Sequence, residues 1–363
     1  MRAVLRVLGL LLLAWVLSRV PWRDRAHLAG GEVIAGTILE ERSDGSFLFL
    51  PAGEGAGGER RFLPADLAVR PRGLPAVEEG VATLSRRLRA VPTLLVLLLA
   101  AAGVVIAALR WRLLLRAQGI LLTRREALSF TFLGNFFNQV APGGILGGDV
   151  LKAVYASRGR GNAAGCAVGV FLDRVVGLFG TVVLACAALL PRWNDPRFHG
   201  AAVLSYGVLL GGLAGVSLVL SRRVRSALRV ERWVPRVPFV GGFLAEADAA
   251  VLLYRDHRGA VVLALGVSLL IHAAWCVANA LLGGMLGIDL TPGDWFAVVP
   301  PILVVSAIPL FPGGWGMGEA SYVLFLGLLG VPPAPAVAVS VLGRVMHVVT
   351  ALPGGIVFLG RRR

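Results

Sequence analysis

"APGGILGGDV", residues 141–150, interrupts an apolar stretch with four glycines, a proline and an acid. A second stretch, "FPGGWGMGEA" at 311–320, sets Pro312, Gly313, Gly314, Gly318 and Glu319 in register with Pro142, Gly143, Gly144, Gly148 and Asp149 at an offset of 170 residues. Proline removes a backbone donor and clashes with the preceding turn, and glycine weakens a helix interior, so each stretch ends one helix and begins another. Hydrocarbon tolerates the freed backbone groups only where protein or a watery cavity surrounds them. The resuming helix starts with uncapped N–H groups and a positive dipole end. That end can hold a phosphate, or Asp149 and Glu319 can satisfy it internally.

The surrounding composition requires a membrane. The 363 residues are 56% hydrophobic and 16% charged, with a mean hydropathy of +0.77, whereas a soluble domain has about 25% charged residues. A net charge of +15 would point to nucleic acid in a soluble protein. Here the arginines sit between apolar runs, where they set topology, so nucleic acid is not an expected partner. Lys152 is the only lysine and reads as a preference for arginine rather than a special role. Cys166, Cys186 and Cys276 lie inside apolar runs, and the five histidines are scattered. Neither HExxH nor GxSxG occurs, so no cofactor or metal is expected.

Six runs are long enough to cross about 30 Å of hydrocarbon: 3–20, 91–109, 163–190, 200–220, 259–283 and 335–359. Arginines at 110–125 and 221–258 and at the C-terminal end, against arginine-poor 284–294, put both termini in the cytoplasm. Residues 1–23 form an N-terminal anchor. Segment 24–90 is charge-neutral, with ten arginines and ten acids between 21 and 90, and has two β-prone runs around Asp44-Gly45. It reads as a small extracytoplasmic β-rich module. The arm 126–141 would reach only roughly 24 Å, so 126–157 is expected to be a re-entrant hairpin from the cytoplasm, and 294–331 one from outside.

The offset also aligns Arg174 in "FLDRVVGLF" with Arg344 in "VLGRVMHVV". Membrane repeat 1 (91–190) and membrane repeat 2 (259–363) would then cross in opposite senses, joined by a linking span and a cytoplasmic amphipathic segment over 191–258. The expected fold is an all-α polytopic membrane protein: about six spans plus two re-entrant Pro-Gly-Gly hairpins in an inverted repeat, with the β-rich insertion. In transporters such repeats place the substrate at their interface. An arginine inside a span costs at least about 2.5 kcal/mol unless paired, so Arg174 needs Asp149 or Asp173, and Arg344 needs Glu319. These pairs read equally as structural locks or as substrate contacts. Asn135 and Asn138 share one helix face, for interhelical hydrogen bonds or a head group. Trp315 and Tyr322 read as packing or interfacial aromatics, and His347 as a packed polar residue. Leu244, Val251 and Leu252 would form one face of a helix lying on anionic lipid, or of a solvated linker.

The motifs "RWRLLLRAQGI", "FFNQVAPGGILGGDVLKAV", "FLDRVVGLF" and "IPLFPGGWGMGEA" resemble those of the lysylphosphatidylglycerol synthase transmembrane region, a flippase-like family, over roughly 91–360. The resemblance implies a lipid-handling membrane protein. By position it carries over Asn138, Pro142, Gly143, Gly144, Gly148, Asp149, Asp173, Arg174, Pro312, Gly313, Gly314, Gly318, Glu319 and Arg344. No soluble aminoacyltransferase domain accompanies them, so lysyl-lipid synthesis is not implied, and 24–90 stands where a short loop is expected. The expected function is a lipid translocase of the cytoplasmic, bacterial-type inner membrane, transporter-like rather than enzymatic. Its partners would be membrane lipids with anionic or phosphate-bearing head groups, and an envelope protein for 24–90. An intramembrane lipid-modifying transferase and a non-transporting envelope scaffold are the alternatives.

Overall fold

A computed structural model describes residues 23–140, 145–227, 241–307 and 317–360, apart from 43, 45, 56, 69–76, 81–82 and 84–85. The expected first span at 3–20, both Pro-Gly-Gly tips and Trp315 fall outside the described residues.

The 24–90 segment begins as a five-stranded antiparallel sheet. Its strands are β1 (Asp24–His27), β2 (Val33–Glu41), β3 (Phe47–Pro51), β4 (Arg60–Phe62) and β5 (Val77–Glu78), in spatial order β4-β3-β2-β1-β5. Ala26, Phe49 and Phe62 form its small core. Asp24 is buried, and its carboxylate accepts from the Ile38 and Gly80 amides and the Thr83 hydroxyl at 2.5–2.8 Å. A buried carboxylate requires such donors, and these tie the first strand to the segment that leads into the helices.

The remainder is helical: α1 (Ala90–Ala117), α2 (Arg124–Val140), α3 (Ile145–Ser157), α4 (Ala163–Leu189), α5 (His199–Leu220), α6 (Arg222–Ala227), α7 (Gly241–Asp256), α8 (Arg258–Met285), α9 (Pro292–Ser306), α10 (Met317–Gly327) and α11 (Pro333–Gly360). Five of these, α1, α4, α5, α8 and α11, are long and apolar enough to cross a membrane. They coincide with the five expected spans that fall in the described region. The first of them is longer than the apolar run implied: α1 continues through Arg110, Arg112 and Arg116, which the sequence placed in a cytoplasmic loop. Arg110 is buried, so its charge is used inside the bundle.

At 1.5 Å per residue, α2, α3, α9 and α10 reach roughly 16–26 Å, short of the hydrocarbon thickness. They pack as two hairpins, α2 on α3 and α9 on α10. Pairings between elements are preserved when α1–α4 are exchanged for α8–α11. Thus α1 packs on α8; α2 packs on α11 and α9 on α4; α3 packs on α4 and α10 on α11; α1 touches α11 and α8 touches α4. Glycines permit the closest approaches. A Cβ at Gly354 of α11 would meet the Phe132 carbonyl of α2, and one at Gly283 of α8 would enter the Trp295 ring of α9.

Helix α7 is a helix as expected, and Val251 of its expected apolar face packs on protein. Ala247, Ala250, Val251 and Tyr254 pack with Leu114, Val168, Leu172 and Ala264 of the bundle. The Tyr254 hydroxyl donates to the Leu114 carbonyl at 3.0 Å and accepts from Gln118 at 2.8 Å. The buried tyrosine attaches this segment to protein rather than leaving it a solvated linker.

Candidate functional site

Each hairpin begins with a reciprocal cap. Thr123 and Glu126 exchange side-chain and backbone hydrogen bonds at 2.8–3.2 Å, and Thr291 and Asp294 do the same at 2.6–3.3 Å. This is the S/T-x-x-D/E signature of a helix start. Arg160 closes the base of the first hairpin through Glu126 Oε1 (2.5 Å) and the Ala156 and Leu121 carbonyls. Arg192 holds Asp294 at 2.7 Å at the base of the second.

Beyond the breaks, each hairpin ties its acid to the arginine 25 residues later. Arg174 of α4 grips Asp149 of α3 with two teeth, Nε to Oδ2 at 2.6 Å and Nη2 to Oδ1 at 2.9 Å. Arg344 of α11 reaches Glu319 of α10 through Nη2 to Oε1 at 3.1 Å. The two-toothed fork is the stronger and more directional arrangement. Of the two partners open to Arg174, the structure takes Asp149. Asn138 supports the first pair: its Oδ1 accepts from the Gly148 amide at 2.8 Å, and its Nδ2 stands 3.5 Å from Asp149 Oδ1. That bond ties the first turn of α3 to α2. Asn135 is half-buried one turn earlier and makes no side-chain hydrogen bond among the described residues.

Gly143, Gly144, Gly313 and Gly314 lie outside the described residues, whereas Gly148 and Gly318 are buried. A Cβ at Gly148 would meet the Gly134 carbonyl of α2, and one at Gly318 would lie 2.8 Å from Arg344 Nη2. Both motif glycines are therefore contact points rather than turns.

A family model described as the lysylphosphatidylglycerol synthase transmembrane region matches residues 74–354. The chain belongs to this family. It is also similar to two UPF0104 membrane proteins. One, from Pyrococcus horikoshii, is 22% identical over 298 residues, covering 74% of this chain and 87% of the relative. The other, from Methanothermobacter thermautotrophicus, is 21% identical over 255 residues, covering 66% and 75%. No solved structure matches. Family membership and the apolar helices make this a multi-pass integral membrane protein with a lipid-related role. Most of the sheet, residues 24–62, precedes the matched segment.

In this lysylphosphatidylglycerol synthase-type bundle, Asp173 does not pair with Arg174 but faces the opposite way. Its Oδ1 accepts from Arg110 Nε at 2.8 Å, and its Oδ2 stands 3.5 Å from Lys152 Nζ. Lys152 also lies 4.0 Å from the Trp111 ring centroid, a cation–π distance. The single lysine is thus a buried ion-pair member, which corrects its reading as an incidental residue. Sequence reasoning missed Arg110, Trp111, Lys152 and Ser268. The available signal was that Asp149 and Lys152 lie one turn apart on α3, opposite adjacent Asp173 and Arg174 on α4. Two of each sign inside apolar segments imply crossed pairs.

In the second half, Tyr322 donates to Asn279 Oδ1 at 2.6 Å, and Asn279 Nδ2 donates to the Trp275 carbonyl at 2.8 Å. Tyr322 is a fully used interior hydrogen-bond donor and not an interfacial aromatic. His347 stacks on Trp275 with ring centroids 4.1 Å apart. Cys166, Cys186 and Cys276 are buried and free, as small core residues.

Proposed function

We propose that this protein is a lipid translocase that moves a phospholipid or isoprenoid-linked head group across the cytoplasmic membrane between its two hairpins. The observation that carries this reading is the matched pair of ion pairs, Asp149–Arg174 and Glu319–Arg344, each joining a broken hairpin to a span. An ion pair in a low-dielectric interior is costly to break by removing one partner, yet a head-group phosphate can take the place of the carboxylate without stranding the arginine. Arginine suits this exchange because its planar fork fits carboxylate and phosphate alike.

Pairings that survive exchange of the two helix sets support an inverted repeat with the hairpins entering from opposite sides. On that reading both termini are cytoplasmic, the 24–90 module is outside, and the path runs past Asn135, Asn138, Gly143, Gly144, Asp149, Asp173 and Arg174 to Gly313, Gly314, Glu319 and Arg344. The test is translocation of labelled anionic, zwitterionic and isoprenoid-phosphate lipids in sealed proteoliposomes. Movement of one head-group class, abolished by both Asp149→Asn and Glu319→Gln in protein that still purifies folded, supports it. Failure of folded wild-type protein to move any of these lipids refutes it.

A further inference from the structure

The first half of the bundle contains a charged centre that, among the described residues, the second half lacks. Arg110, Lys152 and Asp173, from α1, α3 and α4, have side chains only 8%, 7% and 10% exposed. Arg110 is well used: Nε donates to Asp173 Oδ1 at 2.8 Å, Nη2 to the Asp173 carbonyl at 3.1 Å and Nη1 to Ser268 Oγ of α8 at 2.6 Å. Ser268 Oγ in turn donates a hydrogen bond to the Ala264 carbonyl at 2.8 Å. Lys152 is different. Its ammonium has three N–H donors, and among the described residues Asp173 Oδ2 at 3.5 Å is its only acceptor.

One carboxylate therefore serves two cations. The neighbouring Asp149–Arg174 pair is balanced, so with Lys152 protonated these five groups carry one surplus positive charge. The fold does not demand that surplus. At the 170-residue offset, Arg110, Lys152 and Asp173 correspond to Ala280, Tyr322 and Gly343, and there the neutral Tyr322–Asn279 hydrogen bond stands instead. A charge inside an apolar bundle without a full counter-ion is costly. What the centre lacks chemically is an oxyanion. Arg174, bound to Asp149 one turn before Lys152, has a side chain 48% exposed, whereas that of Lys152 is 7% exposed.

We propose that Lys152, with Arg110 behind it and Arg174 at its entrance, is a binding site for one phosphate-class oxyanion, which supplies the missing counter-charge. The site makes the first half, not the second, the place where a phosphate is captured. Only its lipid source rests on the translocase reading.

Because the chain has a single lysine, the ζ-15N resonance of 15N-lysine-labelled full-length protein in nanodiscs reports on Lys152 alone. The discs are phosphatidylcholine with increasing phosphatidylglycerol, in parallel with phosphatidylcholine discs titrated with inorganic phosphate, and with discs carrying a carboxylate amphiphile, oleate. A saturable shift with phosphatidylglycerol supports the site and assigns it to a lipid head group. A saturable shift with inorganic phosphate supports the site and assigns it to a soluble anion. In either case Arg174→Gln, which leaves the buried groups in place, should weaken the response at least several-fold. A silent Lys152 in both phosphate arms, or an equal shift with oleate, overturns the proposal. A responding Lys152 in protein that moves no lipid would count against the translocase alone, and lipid movement with a silent Lys152 against this site alone.

Discussion

Gly148 and Gly318 occupy the same place in the two motifs, yet alanine at each should have different consequences. At Gly148 the new methyl would sit on the Gly134 carbonyl and 2.5 Å from Asn138 Oδ1. A backbone carbonyl inside a helix cannot rotate away, so α2 and α3 must separate. Overpacking of this kind costs typically 1–3 kcal/mol, and against backbone the upper end applies, about 3 kcal/mol. Separation also weakens the 2.8 Å bond from the Gly148 amide to Asn138, worth about 1 kcal/mol. Alanine's better helix propensity returns about 1 kcal/mol, leaving a net loss of about 3 kcal/mol. At Gly318 the nearest atom is the end of a flexible side chain, Arg344 Nη2 at 2.8 Å, with Ser340 Oγ next at 3.8 Å. The guanidinium can swing aside, so stability should change by less than about 1 kcal/mol. The 3.1 Å Arg344–Glu319 contact should lengthen without the arginine leaving its carboxylate. The assay is equilibrium unfolding of the purified proteins in mixed micelles, beside lipid movement in vesicles. Gly148→Ala should be clearly destabilised and Gly318→Ala nearly unchanged in stability but impaired in transport. Equal losses of stability at the two sites, or a larger loss at Gly318, would show that the contacts at these helix crossings are not as described.

The buried centre makes a prediction of opposite signs. Asp173→Asn strands two cations and should cost about 3–5 kcal/mol, whereas Lys152→Met removes the surplus charge and should be neutral or stabilising; unfolding midpoints in one detergent compare them directly. Tyr322→Phe leaves Asn279 Oδ1 buried without its 2.6 Å donor, so a loss of about 1–3 kcal/mol is expected in the same measurement. Burial pushes the Tyr254 hydroxyl up from 10.0 to about 12. A raised folded-state value means that the docking of α7 is fully supported below pH 10 and is lost as pH rises toward 12. Limited proteolysis of the 221–258 segment should be flat from pH 6 to pH 9 and accelerate above pH 10, and Tyr254→Phe should remove a pH-linked step in that range.

Much of this architecture is local and therefore legible in the chain. Apolar run length sets a membrane span, because 1.5 Å per residue must cover about 30 Å, and five such runs became α1, α4, α5, α8 and α11. The two Pro-Gly-Gly stretches placed the ends of α2 and the start of α10, and the β-prone runs around Asp44 became β2 and β3. The pairing of Arg344 with Glu319 was also readable, since a charge inside a span needs a partner and one acid lay at the matching offset. Other features depended on three-dimensional packing. Hydropathy ended α1 before Arg110, but packing against α4 and α8 supplies Asp173 and Ser268, and the helix runs on with that arginine buried. Asp149 and Asp173 were equally good partners for Arg174 on paper. Asp173 and Arg174 are adjacent on α4 and point about 100° apart, so Arg174 meets Asp149 of α3 while Asp173 meets Arg110 of α1 and Lys152 of α3, and only the rotation of α4 in the bundle decides this. The role of Lys152 was hidden for the same reason. Along the chain its one-turn spacing from Asp149 was the available signal, and only when α1, α3, α4 and α8 converge is one carboxylate left between two cations.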